Sequence, residues 1–153
     1  MREDRRIITP HESSRSGRPV RLIVLHADAA PRESSTIHWL QHPDAQVSYH
    51  VLVHRDGTST RFVDDSRNAW HSGKSEWRGV VGVNRISLGL AFSNRQDGKE
   101  PLTPEQLETA RAWIRHWRAV HPIEDVVTHS MVSPRRKFDP ERAPNFNLAT
   151  LCA

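Results

Sequence analysis

Cysteine is almost missing from this sequence: Cys152 is the only one in 153 residues. A lone thiol cannot build an internal disulfide framework, so stability must come from an ordinary core, which fits synthesis in a reducing cytoplasm. Long apolar runs are missing too. The densest, Leu22-Ile23-Val24-Leu25, is strand-sized and far short of the roughly 18 residues that span a bilayer, so no membrane span is expected. The N-terminus, Met1-Arg2-Glu3-Asp4-Arg5-Arg6, is charged, and no apolar stretch of signal-peptide length follows it. No signal peptide is therefore expected, and action outside the cytoplasm would need another route out. Nor is there a block of basic residues. The net charge of +4 is spread along the chain, which suits a solvated surface, and no nucleic-acid partner is expected.

Hydrophobic residues make up 36% and charged residues 26% of the chain, enough for one globular domain and too short for two. Residues 1–19 are polar, with 13–17 read as loop, and are expected to form an extension ahead of a domain over 20–153. The run 21–26 alternates Leu22, Val24 and His26 against Ile23 and Leu25, the pattern of a strand buried on both faces. A helix capped by Ser34 or Ser35 should follow to about Gln41, with Ile37, Trp39 and Leu40 inward. Strands are expected at 47–53, 59–63 and 86–92, with a long ordered loop over 68–84. Thr103-Pro104-Glu105-Gln106 signals a capped helix start, and Leu107, Ala110, Ile114 and Trp117 then recur at helical spacing. Residues 125–129 give a last short strand, and 133–153 look irregular. The sum is an α/β fold, a single domain with a central mixed β-sheet flanked by helices.

Ten histidines are many for this length. Two of them, His26 and His129, close strands, where a rigid backbone meets solvent. A catalytic zinc takes three protein ligands and leaves one position open. Asp139, ten residues beyond His129, could return to the same point as a third ligand. Each histidine alone could equally be a buried, hydrogen-bonded residue. His38, His42, His116 and His121 lie in or beside helices without a convergent partner. His50 and His54 alternate with Tyr49 and are expected to point away from its face.

Taken in order, Ile23-Val24-Leu25-His26, Val47-Ser48-Tyr49-His50, Ala69-Trp70-His71-Ser72-Gly73, Ile86-Ser87-Leu88-Gly89-Leu90, His129 and Lys137-Phe138-Asp139-Pro140 resemble the type-2 N-acetylmuramoyl-L-alanine amidases. The resemblance runs from about residue 21 to 148. It implies a zinc (Zn2+) enzyme that cuts the amide between the muramic acid lactyl group and L-alanine, with His26, His129 and Asp139 as ligands. It further implies that Tyr49 and Lys137 are catalytic and that His71, Trp70 and Asn84 meet substrate. Zinc would acidify a bound water to a pKa of about 7, and Lys137 would stabilise the oxyanion, an effect on the order of 3 kcal/mol.

Peptidoglycan or muropeptides are the implied partners, with the protein a monomer. A short basic domain of this kind looks like a phage or prophage lysis enzyme, with a cytoplasmic recycling amidase or a non-catalytic wall-binding module as alternatives. One departure counts against the recycling branch, which carries a glutamate where this chain has Ala91. Tyr49 would then have to take that role.

Overall fold

The computed structural model describes residues 3–153. In chain order its strands are β1 (Glu3–Arg6), β2 (Glu12–Ser14), β3 (Leu22–Ala27), β4 (Val51–Val53), β5 (Ser59–Arg61), β6 (Arg67–Ala69), β7 (Glu76–Trp77), β8 (Val80–Val81), β9 (Ser87–Phe92) and β10 (Asp125–Thr128). Its α-helices are α1 (Glu33–Gln41), α2 (Pro104–Val120), α3 (His129–Val132) and α4 (Leu148–Cys152). Six strands form one mixed sheet in the order β1-β5-β4-β9-β3-β10, antiparallel only between β4 and β5.

The centre of that sheet explains the apolar runs. β3 and β9 lie side by side in parallel and are buried at every position, so both faces need apolar side chains. Ile23 and Leu25 pack with Leu88, Leu90 and Phe92 beneath Trp113, Ile114 and Trp117 of α2. Leu22 and Val24 join Ile86, Val127 and Val132 in a cluster on the opposite face. By alternation His26 extends the row of Leu22 and Val24, and Ser87, Gly89 and Ala91 form the neighbouring row on β9. One face of the sheet is thus given to the helix, and the other carries polar chemistry.

α2 starts as its sequence predicts. Thr103 Oγ1 accepts from Gln106 N at 3.1 Å, and Gln106 Oε1 accepts from Thr103 N at 3.0 Å. Gln106 Nε2 also donates to Val53 O and Ser93 O, tying the helix start to the ends of β4 and β9. The buried stripe is wider than the expected one: Trp113 sits at its centre and Leu107 is only partly covered.

Elsewhere several expectations are corrected. α1 has Arg32 rather than Ser34 or Ser35 at its N-cap, with no side-chain cap, and Trp39 turns outward at 47% exposure. The strand expected over 47–53 keeps only β4, because Ser48 bonds across to Trp70 O instead of continuing a ladder. The stretch 68–84 holds most of β6, then β7, β8 and the start of a 3-10 turn, Val83–Ile86. β10 stops at Thr128, whose hydroxyl caps α3, so His129 begins a helical turn rather than ending a strand. α4 lies in the tail expected to be irregular.

Within the expected polar extension, Met1 and Arg2 lie outside the described residues. The remainder supplies β1 and β2, the latter paired with β6, and buries Thr9, His11 and Arg15. The Arg15 guanidinium donates to the carbonyls of Asp65 (2.7 Å), Asn84 (3.2 Å), Arg85 (3.1 Å) and Ser87 (3.0 Å). Its rigid fork of donors matches such a cluster of acceptors. Burial lowers its pKa to about 10, partly offset by Asp65, so it stays charged at neutral pH.

Truncating Arg15 strands these carbonyls. Arg15→Ala is expected to cost on the order of 3 kcal/mol in urea denaturation, against less than about 0.5 kcal/mol for exposed Arg115→Ala. Equal, small losses would show that the N-terminal segment is not anchored to the domain.

Candidate metal centre and cleft

β3 and β10 are adjacent and parallel, with Thr128 opposite Leu25. The residues that follow each pairing, His26 and His129, therefore emerge together at the same end of the sheet. The loop after α3 folds back through Arg136 and Lys137, whose amides donate to Ser133 O, and delivers Asp139. Asp139 Oδ2 accepts from Ala27 N at 3.1 Å, locking the carboxylate beside the end of β3. Among the described residues His26, His129 and Asp139 are the group of His, Cys, Asp or Glu side chains that converges, with one atom from each all within 4.8 Å of one another.

The hydrogen bonds behind these atoms decide what they present. His129 Nε2 lies 3.2 Å from Ser72 O. A carbonyl only accepts, so His129 Nε2 carries the proton and, in the neutral ring, Nδ1 presents a lone pair. The same logic runs along a longer chain behind His26. Ser87 Oγ donates to Val83 O at 2.7 Å and therefore accepts from His71 Nε2 at 3.0 Å. His71 Nδ1 is then an acceptor, and takes the proton of His26 Nε2 at 2.9 Å. That leaves His26 Nδ1 with a lone pair as well. The two Nδ1 atoms face each other at 3.0 Å. His129 Nδ1 is 3.2 Å from both Asp139 oxygens, and His26 Nδ1 is 3.7 Å from Oδ2.

With both rings neutral, three acceptors point at one another and repel unless a cation sits among them. Zinc ligands at 2.0–2.1 Å and tetrahedral angles stand about 3.3 Å apart, and the separations of 3.0, 3.2 and 3.7 Å bracket that value. Two imidazole nitrogens and one carboxylate are a donor set that suits zinc. Burial holds His26 well below the usual imidazole range, and the neighbouring His129, His71, Lys137 and His50 add to the effect. His71 is lowered in the same direction, chiefly by burial. Both rings are thus neutral at pH 7, as metal ligation and its support require.

Gly89 makes room for this support. A Cβ there would stand 2.5 Å from His71 Cγ, so the His71 ring lies flat against the bare backbone of β9. His50 is buried behind it, with Nδ1 accepting from Gly89 N and Nε2 donating to Arg67 O. Burial, then the charge of Arg15, holds His50 down to about 3.

The centre opens into a cleft of about 410 Å³. Tyr49, Trp70, His71 and Lys137 all line it. The Tyr49 and His26 rings are 5.4 Å apart, and burial, with Asp139 and Asp28 adding, pushes the Tyr49 hydroxyl up, so it remains a phenol at neutral pH. Trp70 exposes part of its ring, while its Nε1 donates to Ser13 Oγ at 3.2 Å. His71, at 4% exposure, stands behind His26 more than in the open cleft. Asn84 is not among the lining residues; its Oδ1 accepts from Ser72 N at 2.9 Å.

Residues not singled out from sequence also contribute. Asp28, Phe138 and Arg142 line the cleft, and Arg136 Nη2 donates to the carbonyls of Ser72 and Lys74. Their types are common on surfaces, so sequence carried no signal for them beyond proximity to Asp139 and His26. Ala91 lies opposite His26 across the β3–β9 pairing, fully buried with Leu52 and Phe62, and Tyr49 packs against the same cluster.

The profile of the family described as N-acetylmuramoyl-L-alanine amidase matches residues 16–142. The chain is 31% identical over 160 residues to the 1,6-anhydro-N-acetylmuramyl-L-alanine amidase AmpD of Salmonella typhimurium (strain SL1344), covering 90% of this chain and 83% of that protein. It is 31% identical over 137 residues to the N-acetylmuramoyl-L-alanine amidase AmiD of Escherichia coli (strain K12), covering 79% of this chain and only 49% of AmiD. A crystal structure of a selenomethionine AmpD derivative shares the fold with a TM-score of 0.86 at 24% identity, over 99% of this chain and 93% of that one. The E. coli AmiD complex with the substrate anhydro-N-acetylmuramic acid-L-Ala-D-gamma-Glu-L-Lys aligns with a TM-score of 0.75 at 28% identity, over 91% of this chain and 59% of that one. With the profile match spanning most of its length, the chain belongs to the N-acetylmuramoyl-L-alanine amidase family.

Proposed function

We propose that this chain hydrolyses the amide between the lactyl group of N-acetylmuramic acid and L-alanine, using a zinc ion held by His26, His129 and Asp139. The observation that carries the proposal is the meeting of three lone-pair donors beneath an open cleft. When bound there, zinc supplies Lewis acidity towards the scissile carbonyl and a water nucleophile.

The chain's own groups do the rest. Lys137, a point cation on the cleft wall, stabilises negative charge developing on the carbonyl oxygen. Tyr49, kept as a phenol, orients the attacking water and relays its proton: Oη gives its own proton to the departing alanine nitrogen and takes the one the water loses. With alanine at position 91, β9 brings no carboxylate to this point, and Tyr49 is the side chain left to handle the proton. His71 acts by fixing His26 in its Nε2–H tautomer, and Asn84 by ordering Ser72. Trp70 meets the bound fragment at the rim.

The sequence points to wall lysis of the phage type, yet the match to a 1,6-anhydro-N-acetylmuramyl-L-alanine amidase over 83% of its length favours a 1,6-anhydro-muramyl peptide substrate. Release of free stem peptide from intact sacculi and from soluble muropeptides, compared side by side, separates the two settings. Activity is expected with zinc, to vanish with chelator, and to fall at least about 100-fold in Asp139→Ala, the size of effect seen when one transition-state contact is lost. A folded, zinc-loaded protein that releases nothing from either substrate would leave a binding module on the same fold.

The positioning role of His71 has its own readout. His71→Phe keeps a ring but removes the acceptor, and zinc affinity measured by chelator competition should fall about 10- to 100-fold. An unchanged affinity would remove His71 from the support of the metal.

A further inference from the structure

Beside the metal cleft lies a second recess of about 410 Å³. The two lie side by side along a shared wall formed by Asp28, Ala29, Val47 and Tyr49. They differ in chemistry. Arg136, Lys137 and Arg142 line the metal cleft and not the recess, and the Arg142 guanidinium lies 4.8 Å over the exposed ring of Phe138. The recess is walled by Pro31, Leu40, Val47 and Trp39. Asp28 is the charged residue among those described there, and both its oxygens are already engaged by Ala30 N, Asn94 N and Thr36 Oγ1.

Trp39 is the unusual element. It occupies a helix position whose pattern predicted a core side chain, yet it is 47% exposed. His42 stacks on it at 5.4 Å and 21°, which holds the indole in place where it borders the recess. A large aromatic held at a pocket edge offers a flat apolar face at little entropic cost, a feature of binding sites rather than of bland surface.

A muramyl peptide has two unlike ends. The sugar end is uncharged and presents pyranose rings with apolar C–H faces. The stem peptide carries carboxylates, including the free α-carboxylate of a γ-linked glutamate. A cationic cleft beside an aromatic-edged recess whose one charge, Asp28, is already engaged can take such a molecule in one direction only. We propose that the recess is a saccharide subsite in which Trp39 stacks on the pyranose that adjoins the muramic acid, while the stem peptide lies along Arg136, Lys137 and Arg142. This assignment rests on the amidase reading above, and it makes Trp39 a specificity-determining residue.

Two measurements test it. In the first, peptide-free GlcNAc–MurNAc disaccharide is titrated into the protein and the indole N–H resonances are followed by NMR, with the Trp39 signal assigned from Trp39→Phe. The Trp39 resonance is expected to shift; no shift there overturns the subsite, whatever the protein's activity. In the second, kcat/KM is compared for MurNAc-tripeptide and GlcNAc–MurNAc-tripeptide with zinc-loaded protein. The native protein should prefer the disaccharide by about fivefold, the size of a single aromatic stacking contact, and Trp39→Ala should bring the ratio to about one. A ratio of one in the native protein, or the same ratio in both, overturns the proposal. Cleavage of neither substrate, with the Trp39 resonance still shifting, would instead overturn the amidase reading and leave the saccharide site standing.

Discussion

Two backbone carbonyls, Val83 O and Ser72 O, govern the centre of this molecule. Each can only accept a hydrogen bond. Through Ser87 and His71 the first leaves His26 with a lone pair turned inward, and the second does the same directly to a neutral His129. Asp139, pinned by Ala27 N, adds a carboxylate to the same point. Such an arrangement repels itself in the absence of a cation, and the surrounding fold holds it in place nonetheless. Much of the structure follows from that demand. The 3-10 turn that supplies Val83, the bare backbone at Gly89 that seats His71, and the loop that presents Ser72 all serve the orientation of two rings.

The sheet makes this affordable in stability. Its α2 face carries the largest apolar cluster, with leucine, isoleucine and tryptophan, so the opposite face can hold polar groups among its smaller clusters. Arg15 closes the same network from the N-terminal side by donating to Ser87 O and Asn84 O, next to the residues that support His71 and Ser72. The segment that reads as a polar leader is therefore coupled to the site through hydrogen bonds rather than apolar contact, and hydrogen bonds of this kind leave no periodic trace in a sequence.

What was legible follows from the same distinction. Alternation in 22–26 gave the face of His26, and the capping box gave the start of α2, because both depend on neighbours in the chain. The three converging donors were approached through strand ends and a resemblance, and the structure gathers them in one place. His129 belongs to α3 rather than to the strand its sequence suggests, since a threonine that ends a strand can also cap a helix. Helical spacing puts Trp39 in the core, because it cannot tell an inward face from one bordering a recess. The His26–His71–Ser87 chain joins residues far apart in sequence and was beyond any local pattern. Ala91, a departure legible in the sequence, is buried among apolar neighbours beside Tyr49, so the chain has committed that position to packing.

The proposed hydrolysis depends on a metal, rather than a proton, lying among His26, His129 and Asp139. The direct test is 15N NMR of the histidine rings at pH 7, before and after one equivalent of zinc. With zinc, both Nδ1 atoms should show metal-coordinated shifts while both Nε2 atoms keep their protons. Before zinc, His26 should be neutral. If His129 is instead doubly protonated and stays so after zinc is added, a proton occupies the site and the metal centre is excluded.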